Sequence, residues 1–305
     1  MELPPTGHEP VLLGEVLSFL QPKPPFRADP LVVVDCTVGR GGHALALANC
    51  LDRQDLILCL DVDPRNLEFA RSRLAGVPCT ARFFHANFAE LKEVLASAGV
   101  GAVDFVLADL GLSTNQLSDP TYGLSFSQAM PLDMRLDPRL ERSAADLVNQ
   151  LPEEELARVL YELAQERYAR RIARKIVEAR RVWPITTTDR LADIVRSAIP
   201  PRGRAPLKID PATRCFLALR MLTGRELDNL AALLDGAPSS LKPGGRLAVI
   251  SFQSSEDRLV KQAFRSAQQA GILSLLTKKP LTPSDAEIAR NPRSRSAKLR
   301  VAQKR

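Results

Sequence analysis

The sequence predicts an α/β fold of the Rossmann-like kind, in which a parallel-type sheet is interrupted by an inserted helical domain. Three observations support this prediction. Short apolar runs of strand length alternate with helical segments over the first third of the chain, the middle third lacks strand signals, and strand signals return towards the C-terminus. Strands that alternate with helices indicate a parallel sheet covered by helices on both faces.

Four apolar runs in the first third have the length and composition of buried strands. The segments between them have helical periodicity, and Pro64 stands where a helix can begin because its missing N–H is not needed there. The predicted strands are 31–35, 56–60, 82–85 and 103–108, and the predicted helices between them are 43–51, 64–74 and 89–98.

The predicted insert, residues 113–210, contains a polar, turn-rich stretch followed by helices at 153–162 and 167–181. In the second of these helices the apolar side chains share one face and the arginines share another. The Pro- and Gly-containing run 199–206 is interpreted as the exit linker. Residues 1–112 and 211–305 then form one discontinuous cofactor-binding domain.

The sheet pattern resumes after the insert. We expect a helix at 212–234, a tight turn at 242–245, a strand at 246–252, a helix at 255–270, and two short runs at 272–276 and 299–302 that complete the chain.

Composition narrows the class of protein. The chain of 305 residues is 45% hydrophobic, but no apolar run approaches the roughly 20 residues of a membrane helix. The N-terminus has no pattern of a signal or transit peptide, so we expect a soluble, cytoplasmic protein without a membrane partner. The 5 cysteines are scattered and never spaced as C-x-x-C, which supports neither a zinc site nor a disulfide framework.

The positive charge is unevenly placed. Residues 278–305 contain 9 Lys and Arg against 2 Asp and Glu, and residues 166–181 contain 7 against 2. Two concentrated basic patches favour a polyanionic partner such as a nucleic acid.

A glycine-rich turn follows the first predicted strand. Gly39, Gly41 and Ala44 fit a dinucleotide fingerprint, but such a match alone is weak. Asp35, just before the glycines, would repel a pyrophosphate and instead favours the cationic end of S-adenosylmethionine. Asp61, 22 residues after Gly39, ends the next strand, where a carboxylate can bind both ribose hydroxyls.

Two further residues continue this series. Phe88 follows the third strand, where adenine commonly stacks, although an isolated aromatic there is as readily a packing residue. Asp109 ends the fourth strand, at the edge of a parallel sheet where ligands bind. Our hypothesis is that Asp109 is catalytic, accepting a hydrogen bond from the group that is modified.

Several motifs resemble one family, the bacterial ribosomal RNA small-subunit methyltransferase H family, also called MraW, which has a mitochondrial relative. The resemblance runs from His8 almost to the C-terminus and implies the class I methyltransferase fold. Its motifs are Asp35-Cys-Thr-Val-Gly-Arg-Gly-Gly-His43, Ala108-Asp-Leu-Gly-Leu-Ser-Thr-Asn-Gln-Leu117, Pro131-Leu-Asp-Met-Arg135, Glu166-Arg-Tyr-Ala-Arg-Arg-Ile-Ala173 and Asn291-Pro-Arg-Ser-Arg-Ser-Ala-Lys-Leu-Arg300.

The resemblance implies an S-adenosylmethionine-dependent enzyme that methylates N4 of a cytidine in the decoding region of small-subunit ribosomal RNA. It implies a partner that is ribosomal RNA within an assembled or nearly assembled small subunit. We expect the protein to be a monomer or homodimer. It also implies a bacterial cytoplasmic location, or the mitochondrial matrix for an organellar homologue. The cofactor contacts that it carries over are Gly41, Gly42, His43, Asp61, Phe88, Asp109 and Gln116, of which His43 and Gln116 come from the resemblance alone.

The basic patches supply the expected RNA contacts. We expect phosphates to be held by Arg167, Arg171 and Arg174 in the insert, and by Arg293, Arg295, Lys298 and Arg300 near the C-terminus. The catalytic site has no Pro-Pro-aromatic run after Asp109, so a base-stacking aromatic would come from elsewhere, with Tyr122 and Phe126 as candidates that packing also explains.

The sequence departs from the family pattern at two histidine positions, which are Asp210 and Gln253 here. Either these histidines are not general bases in the family, or this protein is slower or has drifted in substrate.

Other classes stay open on the sequence alone. They are a methyltransferase acting on another RNA, a small molecule or a protein; a nicotinamide dehydrogenase, which Asp35 disfavours; and a catalytically weak ribosome-assembly factor, which would not need the acidic and glycine residues of a cofactor cleft.

Overall fold

The structure is a computed structural model that describes residues 10–20, 29–200 and 210–305. Residues 201–206 of the predicted linker and the start of the family resemblance at His8 lie outside these ranges. None of the helices in the described ranges is long and apolar enough to span a membrane.

The first part of the chain alternates strands and helices as predicted. Its strands begin and end within about two residues of the predicted bounds, and the helix α1, which precedes them, was not predicted. These elements are α1 (Leu13–Phe19), β1 (Val32–Asp35), α2 (Gly42–Ala48), β2 (Leu56–Asp61), α3 (Pro64–Arg73), β3 (Thr80–His85), α4 (Leu91–Ser97) and β4 (Val103–Asp109), with a 3-10 turn at Phe88–Glu90.

The middle of the chain is helical, and Pro131 and Thr187 form the one isolated β-bridge in its described residues. The two predicted helices are present, but α5, α6 and α9 were missed. The helices are α5 (Thr114–Ser118), α6 (Ala144–Gln150), α7 (Glu153–Ala164), α8 (Ala169–Val182), α9 (Thr188–Ala198) and α10 (Ala212–Thr223), with a 3-10 turn at Pro120–Tyr122.

The prediction of one continuous helix over 212–234 was wrong. The helix breaks at Gly224 and Arg225, where Arg225 takes a left-handed φ of 49°. Glycine weakens the helix there, and the guanidinium of Arg220 binds the carboxylate of Glu226 across the break. The remaining elements are α11 (Glu226–Ser240), β5 (Leu241–Ser251), α12 (Ser254–Gln269), β6 (Leu273–Leu275), α13 (Asp285–Arg290) and β7 (Lys298–Lys304), with a 3-10 turn at Pro292–Ser296.

The seven strands form one sheet in the order β3-β2-β1-β4-β5-β7-β6. Strands β1 to β5 run parallel, which confirms the predicted sheet class, whereas β7 runs antiparallel to both β5 and β6. The predicted turn at 242–245 lies inside β5 as a bulge, because the pairing with β4 jumps from Leu241 to Arg246. Gly245 is required there, since a Cβ would meet the carbonyl oxygens of Lys242 and Val103 at 2.9 Å.

Alternating residues of the strands supply two cores. Val33, Ile57 and Phe105 pack with α1, α2 and α3 on one face. Val34, Leu58 and Val106 pack with α4, α11 and α12 on the other. Burial on both faces explains why these strands read as continuous apolar runs.

The chain divides into two compact units. One unit comprises the described residues up to Ser113 together with Leu227–Arg305, and the other comprises Thr114–Glu226. The sequence placed the second boundary at 210/211. The structure groups α10 with the helical unit, because α10 packs on α6, α7 and α9.

Candidate active site

Three carboxylates end neighbouring strands of the sheet. Asp35, Asp61 and Asp109 are the last residues of β1, β2 and β4. In register, Asp35 pairs with Cys59 and Leu107, so the two other carboxylates extend two residues beyond it on either side. The parallel pairing therefore gathers all three predicted acids at one edge, where the helices that follow the strands begin.

The loop after β1 is tied to Asp61. The Gly39 N–H donates to Oδ2 of Asp61 at 2.7 Å, and the Asp63 N–H donates to Oδ1 at 2.9 Å. Gly39 can make this bond because its φ is +52°, a conformation that other residues avoid. One carboxylate thus fixes both the glycine turn and the start of α3, and it keeps lone pairs for a further donor.

Thr37 links the ends of β1 and β4. Its N–H donates to Oδ1 of Asp35 at 3.1 Å, and its Oγ1 accepts the Asp109 N–H at 2.7 Å. The sequence reasoning missed Thr37. The available signal was a hydroxyl residue two positions after a strand-ending aspartate, a spacing typical of such turns.

Asp35 and Asp109 keep oxygen atoms that have no hydrogen-bond partner in the described ranges. Oδ2 of Asp35 and Oδ1 of Asp109 are both buried and unbonded. Such atoms are costly unless a ligand supplies the missing donor.

Burial shifts the acidities of the three carboxyls in the same direction. It raises the pKa of Asp109 to about 7. It raises the pKa of Asp61 to about 6 despite the backbone hydrogen bonds that favour the charged form. For Asp35, burial raises the pKa to about 6, His43 lowers it, and the charges of the two other acids raise it further. A cation bound at this edge would relieve the shared cost of desolvation.

His43 is a neutral base beside Asp109. Its Nε2 lies 2.9 Å from the carbonyl oxygen of Val11, and a carbonyl only accepts, so Nε2 carries the proton and Nδ1 carries the lone pair. Nδ1 is 3.5 Å from Oδ2 of Asp109. Burial lowers the pKa of His43, which keeps the ring neutral. The Asp109 carboxyl can therefore share a proton with Nδ1.

The N-terminal segment holds this histidine in place, which the sequence reasoning did not predict. The Leu12 N–H donates to Oε1 of Glu287 at 2.8 Å, next to the Val11 carbonyl that binds His43. Pro10 occupies the space above Gly42, where a Cβ would lie 2.7 Å from its Cγ. The absence of a Cβ at Gly42 thus allows Pro10 to pack against the backbone there.

The other predicted cofactor residues are placed as follows. Gly41 has a φ of +77° and would clash with the side chain of Leu74 if it carried a Cβ. Phe88 is half-buried against the core below the sheet edge, and Asn87 caps its 3-10 turn. Gln116 is buried within α5, in the helical unit.

The two aromatic candidates for base stacking are packing residues. Tyr122 is buried, and the ring of Phe126 lies 4.6 Å from that of Phe216.

The described geometry fits a cationic ligand with hydrogen-bond donors. At the centre of the site are three neighbouring carboxyl groups, and Asp35 and Asp109 each have one buried oxygen without a partner among the described residues. This arrangement would repel a pyrophosphate and attract the ammonium and sulfonium of S-adenosylmethionine.

The predicted basic face of the helical unit is exposed. Arg167, Arg171 and Arg174 all point to solvent, on or just before α8. Arg174 lies 3.8 Å from Glu153, a distance that leaves it available for another anion.

The C-terminal patch divides into exposed and buried members. Arg293 and Arg295 are exposed on the 3-10 turn before β7, and Lys298 is half-buried. Arg300 is buried, and its Nε donates to Oδ1 of Asp257 at 2.7 Å. Because its guanidinium is used inside the protein, we remove Arg300 from the expected phosphate contacts.

The residues that replace family histidines have local structural roles. Asp210 binds Arg196 at 2.8 Å and accepts the Ala212 N–H at the start of α10. At position 253 the backbone N–H donates to Glu256, an interaction that any side chain permits.

The motif Pro131–Arg135 is structural as well. Arg135 donates hydrogen bonds to the Asp133 carboxylate through Nε and Nη2, and it also donates to the Leu140 carbonyl. The motif closes the turn before α6 within the helical unit.

Comparison with known proteins gives one consistent result. The model of the MraW methylase family matches residues 5–305. The chain is 47% identical to ribosomal RNA small subunit methyltransferase H of Koribacter versatilis, over 97% of this chain and 93% of that one. It is 44% identical to the protein of the same name from Geobacter sulfurreducens, over 98% of this chain and 99% of that one.

The raised carboxyl pKa values predict the pH dependence of stability. Asp35 and Asp61 titrate near 6 and Asp109 near 7 in the folded protein, against an ordinary value of 3.8. Folding is therefore favoured while these groups are protonated, and that contribution is lost as the pH rises from about 4 to 7. Replacing Asp35 with Asn should raise the melting temperature of the ligand-free protein by roughly 2–6 °C at about pH 8.

Differential scanning calorimetry between about pH 5 and 8 checks this, and the low-pH end is the internal control, because there Asp35 is already neutral. A variant that melts below the wild type at the high-pH end would contradict the assignment of Asp35 as a buried acid whose ionisation destabilises the fold.

Proposed function

We propose, from the premise that this chain belongs to the MraW methylase family of S-adenosylmethionine-dependent ribosomal RNA methyltransferases, that its target is N4 of a cytidine in the decoding region of small-subunit RNA. The observation that carries the choice of an amine is Asp109. It is a carboxyl with an unbonded oxygen at the sheet edge, beside a neutral histidine.

The cysteines argue against methylation of the pyrimidine ring carbon, which requires a thiolate nucleophile. Cys36, next to the site, is buried, and burial raises its pKa far above the ordinary range. All five cysteines are described, and Cys50 alone is exposed; it follows the C-terminal end of α2, whereas the glycine turn precedes that helix. The groups available for the reaction at this edge are therefore the Asp109 carboxyl and the His43 imidazole, which can transfer protons.

We assign the cofactor to the edge formed by Asp35, Asp61 and Asp109, together with the glycine turn, His43 and Phe88; the assignment of Gln116 as a cofactor contact stays a prediction from the resemblance. When bound, S-adenosylmethionine supplies a methyl group activated by attachment to a positive sulfur. Asp61 can accept hydrogen bonds from ribose hydroxyls, and Asp35 can pair with the ammonium group through its unbonded oxygen.

Asp109 orients the acceptor amine. The lone pair of cytosine N4 is delocalised into the ring, and a carboxylate that accepts a hydrogen bond from the amine localises that pair. The carboxylate then takes the proton that the methylated nitrogen releases. Its side chain is 22% exposed and lies 3.5 Å from His43 Nδ1, so the proton can pass to the imidazole or to water.

The helical unit supplies RNA recognition in this proposal, and the exposed turn with Arg293 and Arg295 adds a second contact on the sheet unit. Two separate basic surfaces favour a large, folded substrate, in agreement with an assembled or nearly assembled small subunit. We place the protein in the cytoplasm, where that substrate is found, and expect it to act as a monomer or homodimer.

The proposal is tested by incubating the protein and labelled cofactor with free small-subunit RNA and, separately, with small subunits. Nucleoside analysis should find N4-methylcytidine, and mass mapping should place it in the decoding region. Label recovered in 5-methylcytidine, in ribosomal protein or in another RNA would refute it.

Asp109→Asn should lower kcat by about 100- to 10,000-fold, the usual contribution of a positioned base, because an amide cannot take the proton. Asp104→Asn is the matched control at the opposite end of β4; it loses a salt bridge to Lys242, so it should cost stability but not turnover. Single-turnover methylation measures the effect. Near-normal chemistry in the Asp109 variant removes Asp109 from the mechanism.

Cofactor affinity should rise with pH and level off above about pH 7, because a cation binds best when Asp35, Asp61 and Asp109 are ionised. Binding below that pH should release protons. Calorimetry in buffers of different ionisation enthalpy detects the release. Proton uptake on binding would be inconsistent with this site.

The affinity for RNA should fall steeply with salt, and Arg171→Ala should reduce the slope of log K against log[salt] by roughly 0.7–0.9. Arg158→Ala is the control, since Arg158 is exposed in the same unit but sits between Glu155 and Glu162. Equal slopes for wild type and the Arg171 variant would argue that α8 does not touch phosphates.

A further inference from the structure

The most exposed aromatic side chain of the helical unit is Trp183, the one tryptophan in the sequence. It follows directly after α8 and is 69% exposed, and its neighbour Val182 is 73% exposed. These two neighbouring apolar side chains, both exposed to solvent, form an apolar surface. Packing of the helical unit does not account for that surface.

The backbone beneath this tryptophan is held firmly. Arg190 donates to the carbonyl oxygens of Trp183 and Pro184 at 2.9 and 3.1 Å. Two residues further, Asn149 exchanges two hydrogen bonds with the backbone of Ile185, whose side chain is fully buried. The backbone that carries the indole is therefore already ordered, so a ligand that stacks on the ring need not order this segment of the chain.

The indole lies at the end of a positively charged face. Arg170, Arg171 and Arg181 are exposed along α8 and make no ion pair in the described part of the chain. The one acid on this exposed face of the helix, Glu178, binds Lys175 at 2.9 Å. An exposed apolar ring at the end of a helix that carries unpaired guanidinium groups complements a ligand that has both flat rings and negative charges.

We propose that Trp183, with Val182 beside it, is a stacking platform for an unpaired base of ribosomal RNA, while the arginines of α8 hold the adjoining phosphates. The proposal rests on the RNA-binding role of α8 and adds a base contact to it. Single-stranded nucleotides are recognised in this way, because every base has a π-face and aromatic rings accept it without regard to sequence. The charge of α8 favours RNA over a protein partner for this surface.

The fluorescence of Trp183 can report on RNA binding at this position, since no other tryptophan contributes to the emission of the protein. Titration with protein-free small-subunit RNA, excited at the red edge of the indole band, should quench the fluorescence strongly. Bound RNA should also shield the ring from acrylamide. A bound phosphate backbone alone would leave the ring accessible.

Two variants separate stacking from simple apolar contact. Trp183→Leu should weaken RNA binding by about 5- to 150-fold, the usual value of one base stacked on an aromatic ring, and Trp183→Phe should restore most of it. Tyr161→Leu is the matched control: Tyr161 is 61% exposed on α7, whose exposed face carries Glu154 and Glu162, and its loss should change nothing.

Two further measurements distinguish this proposal from the proposed function. The salt slope of Trp183→Leu should equal that of the wild type, because no phosphate contact is removed, and its affinity for S-adenosylmethionine should be unchanged. If Trp183→Leu binds RNA normally while Arg171→Ala still lowers the salt slope, the platform is refuted and the RNA role of α8 stands. Emission that changes with protein concentration in the absence of RNA would also overturn it, since a second copy would then cover the ring.

Discussion

The structure depends on three carboxylates that parallel strands force into one buried edge. Strand register places Asp35, Asp61 and Asp109 there, where Asp35 and Asp61 are buried and Asp109 is 22% exposed, so little water solvates their charges. The raised pKa values of the three carboxyls reflect the cost of holding these charges away from water. A protein retains such an arrangement when a ligand resolves it, and a positively charged methyl donor does so directly. The ionised carboxylates therefore lower the stability of the ligand-free protein and raise its affinity for the cofactor.

The same carboxylates organise the backbone around them. Asp61 fixes the glycine turn, Asp35 and Thr37 join that turn to the end of β4, and Asp109 meets His43. Asp35 and Asp109 thus each keep one oxygen without a partner in the described ranges, whereas both oxygens of Asp61 accept backbone N–H groups. Packing adds a separate constraint on the loop, since a Cβ at Gly42 would lie 2.7 Å from Cγ of Pro10.

Sequence reasoning reached the sheet and its acidic edge because both depend on local patterns: apolar runs of strand length, and aspartates that end them. It failed where distant parts of the chain meet. The contacts of His43 with Val11 and of Leu12 with Glu287 join segments far apart in sequence, and no periodicity predicts them. The burial of Arg300 was missed for the same reason, since its partner is the distant Asp257. The break at Arg225, by contrast, is local, and Gly224 was a signal for it that the helical periodicity outweighed. The RNA-contact and cofactor assignments of individual residues stay predictions.

The two lost family histidines bear on the identity of the base. Asp210 is committed to Arg196 and to the start of α10, and position 253 contributes a backbone N–H that is independent of its side chain. Neither position therefore needs an imidazole for the fold observed here. His43, in contrast, is present, neutral and oriented by a carbonyl, with its lone pair towards Asp109. In the proposed mechanism Asp109 accepts the proton and His43 relays it, and neither role falls to position 210 or 253.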